Sequence, residues 1–314
     1  MPATDAPRPP FGLLLDVDGP VASPVTRTVS APGLVDSLVE LAAAGVPLVF
    51  NTGRSDRFLR EQVVPPLLAA GLPAGARVHA VCEKGAVWAT VTSGGLGEVR
   101  VDEALAVPAD AARRVEALAQ ERYADTMFVD PGKRAMVSLE QRLDVASDVY
   151  LRAQERFEAE VFDLLAGLGL GVAHRGEERP DADGRVGWRI DPTIISTDLE
   201  SVLLGKDRGA EVALRLLAGD GALPRAWRTA GDSRTDYAMA DWLHEQGHPV
   251  AHVDVRPADG VPDKPYPVHV ARTTVHDEAG AAWLRRLAEV VRGEALHDAD
   301  FDVDPRAERA GALA

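Results

Sequence analysis

Asp16-Val17-Asp18-Gly19 closes the apolar run Phe11–Leu15, so a hydrophobic strand delivers two aspartates, one residue apart, into a turn that a glycine permits. Neighbouring side chains leave an extended backbone in opposite directions. One carboxylate can therefore attack a phosphorus atom while the other reaches the leaving oxygen. The tetrapeptide is equally the signature of a plain Asp-Gly turn. A calcium loop of the EF-hand type is a poor match, because Pro20 and Arg27 stand where further oxygen ligands are needed.

Two later segments occupy the same kind of place, after a strand-like run and before a helix-like one. They are Asn51-Thr52-Gly53-Arg54-Ser55 and Gly231-Asp232-Ser233-Arg234-Thr235-Asp236. The Thr52 hydroxyl and the backbone N–H groups of Gly53 and Arg54, at a helix N-terminus, suit a phosphoryl oxygen. Capping of that helix by Thr52 or Ser55 is the competing reading. Asp232 and Asp236 add two carboxylates at another strand mouth. Gathering Asp16, Asp18, Asp232 and Asp236 without a cation costs about 4 kcal/mol for each pair near 4 Å at an effective dielectric of ~20. Oxygen ligands with no matching Cys/His set point to Mg²⁺. Lys206 sits at the start of a helix, where a cation opposes the macrodipole. It can neutralise a nucleophilic Asp16 and a transferred phosphoryl group, or be an ordinary solvated lysine.

The elements that must position these residues alternate strand and helix at both ends of the chain. Phe11–Leu15, Val46–Phe50 and Val78–Cys82 read as short continuous apolar strands, with helices at Gly33–Ala44 and Ser55–Ala70. Such a pattern implies a parallel sheet covered on both faces. The alternation resumes with helices at Gly209–Leu217, Tyr237–Glu245 and Asp277–Val291, and strands at Ala226–Ala230, Pro249–Val253 and Val268–Ala271. Between them lie hairpin signals, helices at Ala109–Ala124 and Asp148–Leu165, and strands at Arg134–Glu140, Leu170–His174 and Val186–Ile190, which suggest an inserted α+β module. The fold class expected is α/β, a Rossmann-like parallel core with an inserted α+β cap. The boundaries expected are 1–83 and 201–293 for the core, 84–200 for the cap and 294–314 for a disordered tail.

A chain of 314 residues with 46% hydrophobic and 26% charged residues is an ordinary globular protein with room for two domains. A net charge of -15 argues against a nucleic-acid partner, which needs a clustered basic face. Cys82 is the only cysteine, so an internal disulfide and a cysteine-built zinc site are excluded. No apolar run approaches the ~20 residues of a membrane span, and Met1–Pro10 has no signal-peptide core. A cytoplasmic protein with no membrane partner is the expectation.

Taken together, Asp16-Val17-Asp18-Gly19, Thr52, Lys206 and Gly231-Asp232…Asp236 resemble the four ordered motifs of the haloacid-dehalogenase-type phosphatases, over roughly Gly12 to Val291. The large insert between the second and third motifs resembles the C2-type cap of their sugar-phosphatase branch, which includes trehalose-, sucrose- and mannosylglycerate-phosphate phosphatases. The resemblance implies that Asp16 is a nucleophile forming an aspartyl phosphate and that Asp18 is the acid and base. It implies that Thr52 and Lys206 hold the phosphoryl group. Mg²⁺ would be held by Asp16, the Asp18 carbonyl and Asp232, with Asp236 in support. The chain departs from the pattern at Pro20, where the family usually has Thr, and at Thr235, where the branch often has Asn. The substrate expected is a small phosphomonoester, selected by a cap that closes over the site. Lys133, Arg134, Arg142, Trp188 and Arg189 are the candidate selectors. A phosphomutase and a non-catalytic phosphosugar-binding protein are the alternatives on the same fold.

Three other patterns carry less. Asp181-Ala182-Asp183-Gly184 follows a run of charges rather than a buried strand and reads as a hairpin turn. His244, His248 and His252 recur every four residues, but Pro249 interrupts the helix that a zinc site would need. The acidic stretch Asp298–Asp304 lacks the glycine of a calcium loop.

Overall fold

The structure, a computed structural model, describes residues 9–294 and the backbone of Phe301–Asp302. The chain divides into two compact units, one formed by residues up to Arg100 and from Gly205 onward, the other by Val101–Leu204.

The first unit is built on one sheet. Its parallel strands run in the order Val268–Ala271, Val250–Asp254, Trp227–Gly231, Gly12–Leu15, Leu48–Asn51 and Val78–Cys82. Gly12–Leu15, Leu48–Asn51 and Val78–Cys82 are buried along their whole length, as their unbroken apolar sequences require. Leu14, Val49, Val81 and Trp227 pack with Ala213, Leu217, Met239 and Leu243 of the helices Lys206–Asp220 and Tyr237–Glu245. Helices Leu34–Ala43 and His276–Val291 pack on each other. The first strand has the second on one side and a strand more than two hundred residues later on the other. Connections therefore diverge at its carboxyl end, and open α/β sheets place ligands in the crevice this creates. The register Leu15↔Phe50 and Leu15↔Ala230 brings three strand ends level, so Asp16, Thr52 and Asp232 emerge at one edge.

The second unit has a mostly antiparallel sheet in the order Glu177–Arg179, Val172–His174, Trp188–Pro192, Ser196–Ser201, Val137–Gln141 and Met127–Val129. Helices Ala109–Arg122 and Ser147–Gly167 supply Val115, Phe157, Val161 and Leu165 to its core. Glu158 is fully buried there, accepting hydrogen bonds from Thr197 and Arg175, with His174 Nε2 at 2.9 Å.

The strand Val87–Thr92, expected in the cap, instead pairs antiparallel with Val78–Cys82 and extends the first unit's sheet. The division accordingly falls after Arg100 and Leu204. A half-buried alternating strand fits the edge of either sheet, so local pattern does not say which one it joins. The helix expected over Ser55–Ala70 contains a π-turn at Leu59–Val63, immediately before Pro65 and Pro66. The tail after Gly293 and its acidic stretch lie outside the described residues except at Glu294 and Phe301–Asp302. Within it Phe301–Asp302 pairs antiparallel with Val268–Ala271.

Candidate active site

Asp16 is the first residue beyond its strand, and its N–H donates to the Ala230 carbonyl at 2.9 Å, which ties it to the strand that leads to Asp232. Gly19 turns the chain with φ of 92°, and a Cβ there would lie 2.6 Å from Cβ of Asp232. Only glycine meets both demands. Asp232 follows Gly231, where a Cβ would collide with the Asp236 side chain.

Lys206, the first residue of its helix, has its Nζ 2.6 Å from Asp16 Oδ1 and 2.6 Å from Asp236 Oδ1. It donates a further bond to the Asn51 carbonyl at 2.9 Å, and the Asn51 amide donates to the Lys206 carbonyl at 2.8 Å. Asn51 thus grips both ends of the lysine. Asp236 Oδ2 accepts from the N–H groups of Asp232 and Ser233 and from the Ser233 hydroxyl, a capping box that starts the next helical turn.

Three of the carboxylates, from Asp16, Asp232 and Asp236, offer oxygens within 4.8 Å of one another. Burial, reinforced by Asp236, holds the Asp16 carboxyl well above the usual carboxylate range despite Lys206. Burial also pushes Asp232 up, to about 6, with Asp236 adding to it. Burial acts the same way on Asp236, but Lys206 and Ser233 outweigh it and hold that carboxyl below its ordinary value. Burial would lower the Lys206 pKa, and the two aspartates reverse the sign and raise it.

The donor set fits a hard divalent cation. Its ligands are oxygens alone, and the Asp232 carboxylate, only 20% exposed, accepts no hydrogen bond from the described residues. Val17 N–H and Lys206 both engage Asp16 Oδ1, and Oδ2 has no hydrogen bond among the described residues. Carboxylates gathered this closely repel one another unless a positive charge meets them.

No family model and no curated sequence matches the chain. Solved structures do. Trehalose-6-phosphate phosphatase of Aspergillus fumigatus superposes with a TM-score of 0.51 at 16% identity, covering 90% of this chain and 93% of that one. A protein described as related to trehalose-6-phosphate phosphatase gives 0.54 at 14% identity, covering 90% and 98%. A haloacid dehalogenase-like hydrolase from Bacteroides thetaiotaomicron gives 0.53 at 13% identity, covering 88% and 99%. The chain has the haloacid-dehalogenase-like fold.

Within that fold the expected site residues do not all behave alike. Asp16, Lys206, Asp232 and Asp236 come together. The Asp18 side chain stands outside the three-carboxylate group. Arg54 donates to both its oxygens, Nε to Oδ2 at 2.9 Å and Nη2 to Oδ1 at 2.8 Å, while also lying over the Phe58 ring. Thr52 is buried and its hydroxyl accepts the Arg54 N–H at 3.1 Å. The amide of Arg54, expected to face a phosphoryl oxygen, is thus turned onto the threonine, as threonine turns commonly do. Ser55, not Thr52, caps the helix, accepting from Phe58 N–H.

The segment after the third strand holds this loop in place. Glu83, Lys84 and Gly85 have consecutive positive φ values of 48°, 55° and 102°. That path lets Glu83 N–H reach the Arg54 carbonyl, Lys84 N–H reach the Thr52 carbonyl, and Gly205 N–H reach the Lys84 carbonyl. Strained backbone of this kind persists only when its surroundings over-determine it. It couples the Thr52 loop to the start of the Lys206 helix.

Of the expected selectors, Arg189 is committed to the buried Glu200 and Trp188 packs on the second unit's core. Arg142 pairs with Asp144 and, with Lys133, lines a cavity of about 570 Å³ in that unit. Asp181 Oδ1 accepts from Asp183 and Arg185 N–H groups, forming the turn expected of it. His252 is buried against Thr229 and Tyr237, and no cluster of His244, His248 and His252 forms among the described residues. Sequence reading missed Asn51 as the grip on Lys206, and Arg256, whose Nε donates to the Asp232 carbonyl at 2.8 Å. Asn51 had a signal, its place at a strand end before Thr52; Arg256 had none.

Proposed function

We propose that the chain is a Mg²⁺-dependent phosphatase that hydrolyses a small phosphomonoester, a phosphorylated sugar or glycosylated polyol, through a phosphorylated Asp16. The observation that carries this reading is Asp16 itself. It is a strand-end carboxylate with one oxygen tied to Lys206 and Val17 and the other unengaged, beside two more acids. The trehalose-6-phosphate phosphatase with this fold supports the choice of substrate class. The net charge of -15 supports a small-molecule substrate rather than a nucleic acid. No helix among the described residues is long and apolar enough to cross a membrane.

Asp16, Asp232 and the Asp18 carbonyl would hold the ion, with Asp236 supporting. When bound, it neutralises charge on the phosphoryl oxygens and orients them. Asp16 attacks phosphorus as the bond to the substrate oxygen breaks. Asp18, in its protonated form, gives its proton to that oxygen. A water then attacks phosphorus, its proton goes to the Asp18 carboxylate, and the bond to Asp16 breaks to release inorganic phosphate. Lys206 steadies negative charge throughout, and Arg54 orients the Asp18 carboxylate through its two hydrogen bonds.

Phosphate release over a panel of sugar phosphates, with and without Mg²⁺, tests the proposal. Asp16→Asn should keep the fold and lose turnover by at least about 10⁴-fold. Near-wild-type release of phosphate from p-nitrophenyl phosphate by that variant refutes Asp16 as nucleophile.

A further inference from the structure

His276 opens the helix His276–Val291 in a conformation that a histidine rarely adopts, with φ of 54°. Its N–H donates to the Val255 carbonyl at 2.8 Å, which fixes it beside the segment that also carries Arg256. The ring Nδ1 is buried and has no hydrogen-bond partner among the described residues. It lies 3.8 Å from Asp232 Oδ2, just outside hydrogen-bond reach. The residue borders a cavity of about 410 Å³ lined also by Ser23, Ser30, Asp277 and Glu278. A buried polar atom without a partner is costly, and the strained backbone here sets it beside a carboxylate that accepts no side-chain hydrogen bond among the described residues. Both are answered by one movement, a small rotation that closes Nδ1–H onto Oδ2.

We propose that His276 is a positioning residue for Asp232, donating from Nδ1 to the outer carboxylate oxygen so that the other oxygen is presented to the divalent ion. Outer partners of this kind set the orientation and basicity of the groups they hold. Arg256, 3.9 Å from the same oxygen and bonded to the Asp232 carbonyl, fixes the backbone of that residue, while His276 fixes its side chain. The inference rests on the reading of Asp232 as a metal ligand.

Mn²⁺ binding to the full chain, followed by electron paramagnetic resonance of the free ion, tests both readings separately. Three variants divide the possible roles. His276→Asn tolerates the positive φ and keeps a donor close to the position of Nδ1. His276→Gly relieves the backbone and removes the donor, and Asp232→Asn is the reference for loss of the ligand. The expected result is binding within about threefold of wild type for His276→Asn and a loss of about 10-fold or more for His276→Gly, the range typical of outer-shell changes. Equal affinities for wild type and His276→Gly overturn the role of His276 while leaving the site intact. Mn²⁺ binding that is the same in wild type and Asp232→Asn overturns the metal reading itself.

Discussion

Lys206→Met is the sharpest perturbation of the site, because it removes the one cation between two buried acids. The lysine side chain is 9% exposed, and its Nζ stands 2.6 Å from an oxygen of each of Asp16 and Asp236. Without it the two carboxylates face each other, and a repulsion of about 4 kcal/mol at ~4 Å and an effective dielectric of ~20 forces one of them to take up a proton. Removing one partner of a buried ion pair typically costs about 3–5 kcal/mol. At roughly 2–4 °C per kcal/mol for units of this size, the variant should melt about 10 °C below wild type in chelator. A double-mutant cycle isolates the cause. Asp16→Asn gives up one of the two ion pairs of Lys206 but also removes the Asp16–Asp236 repulsion, so alone it should cost less than Lys206→Met. Combined with Lys206→Met it should recover about 2 kcal/mol, since only Asp236 then remains charged and it keeps its bonds from Ser233. The assay is thermal unfolding of all four proteins in chelator at pH 7.5. A Lys206→Met variant that melts within a degree or two of wild type, or a cycle with no coupling, refutes the three-charge arrangement.

Other tests probe separate parts of the molecule. Asp18→Asn should slow hydrolysis of sugar phosphates by about 10²–10⁴-fold but that of p-nitrophenyl phosphate far less, because only a poor leaving group needs the proton; a uniform loss across leaving groups argues against the acid role. Gly19→Ala places a Cβ against Asp232 at positive φ and should cost about 1–3 kcal/mol along with divalent affinity, which thermal shift with and without Mg²⁺ measures. Burial holds the His252 pKa down at about 4, so the folded protein refuses a proton that the unfolded chain accepts near pH 6.5. Its contribution is complete above pH 6.5 and is lost as pH falls toward 4, about 3 kcal/mol in all. The denaturation midpoint of His252→Gln should fall less than that of wild type between pH 7 and 4.5, and parallel slopes would contradict the assignment.

Much of this site was readable before any coordinates. Unbroken apolar runs such as Leu13–Leu15 and Leu48–Phe50 are buried on both faces of a parallel sheet, and polar residues immediately after them must lie at its carboxyl edge. That local rule located Asp16, Thr52 and Asp232, and helical spacing placed Lys206 at a helix start. What it left open are pairings between distant segments. Arg54 reaches Asp18 across 36 positions and Arg256 reaches Asp232 across 24. Neither pair leaves any trace in the periodicity of its own segment. The strand Val87–Thr92 has the alternation of an edge strand, and only the competition between two sheets for its backbone groups assigned it to Val78–Cys82. In sequence His276 is only the residue before the helix expected over Asp277–Val291; its left-handed backbone and its approach to Asp232 exist only once Val255 has captured its N–H. Burial of successive side chains is written in the order of residues along a segment. Which acid meets which base depends on how strands stack in space, and the chain settles that only by folding.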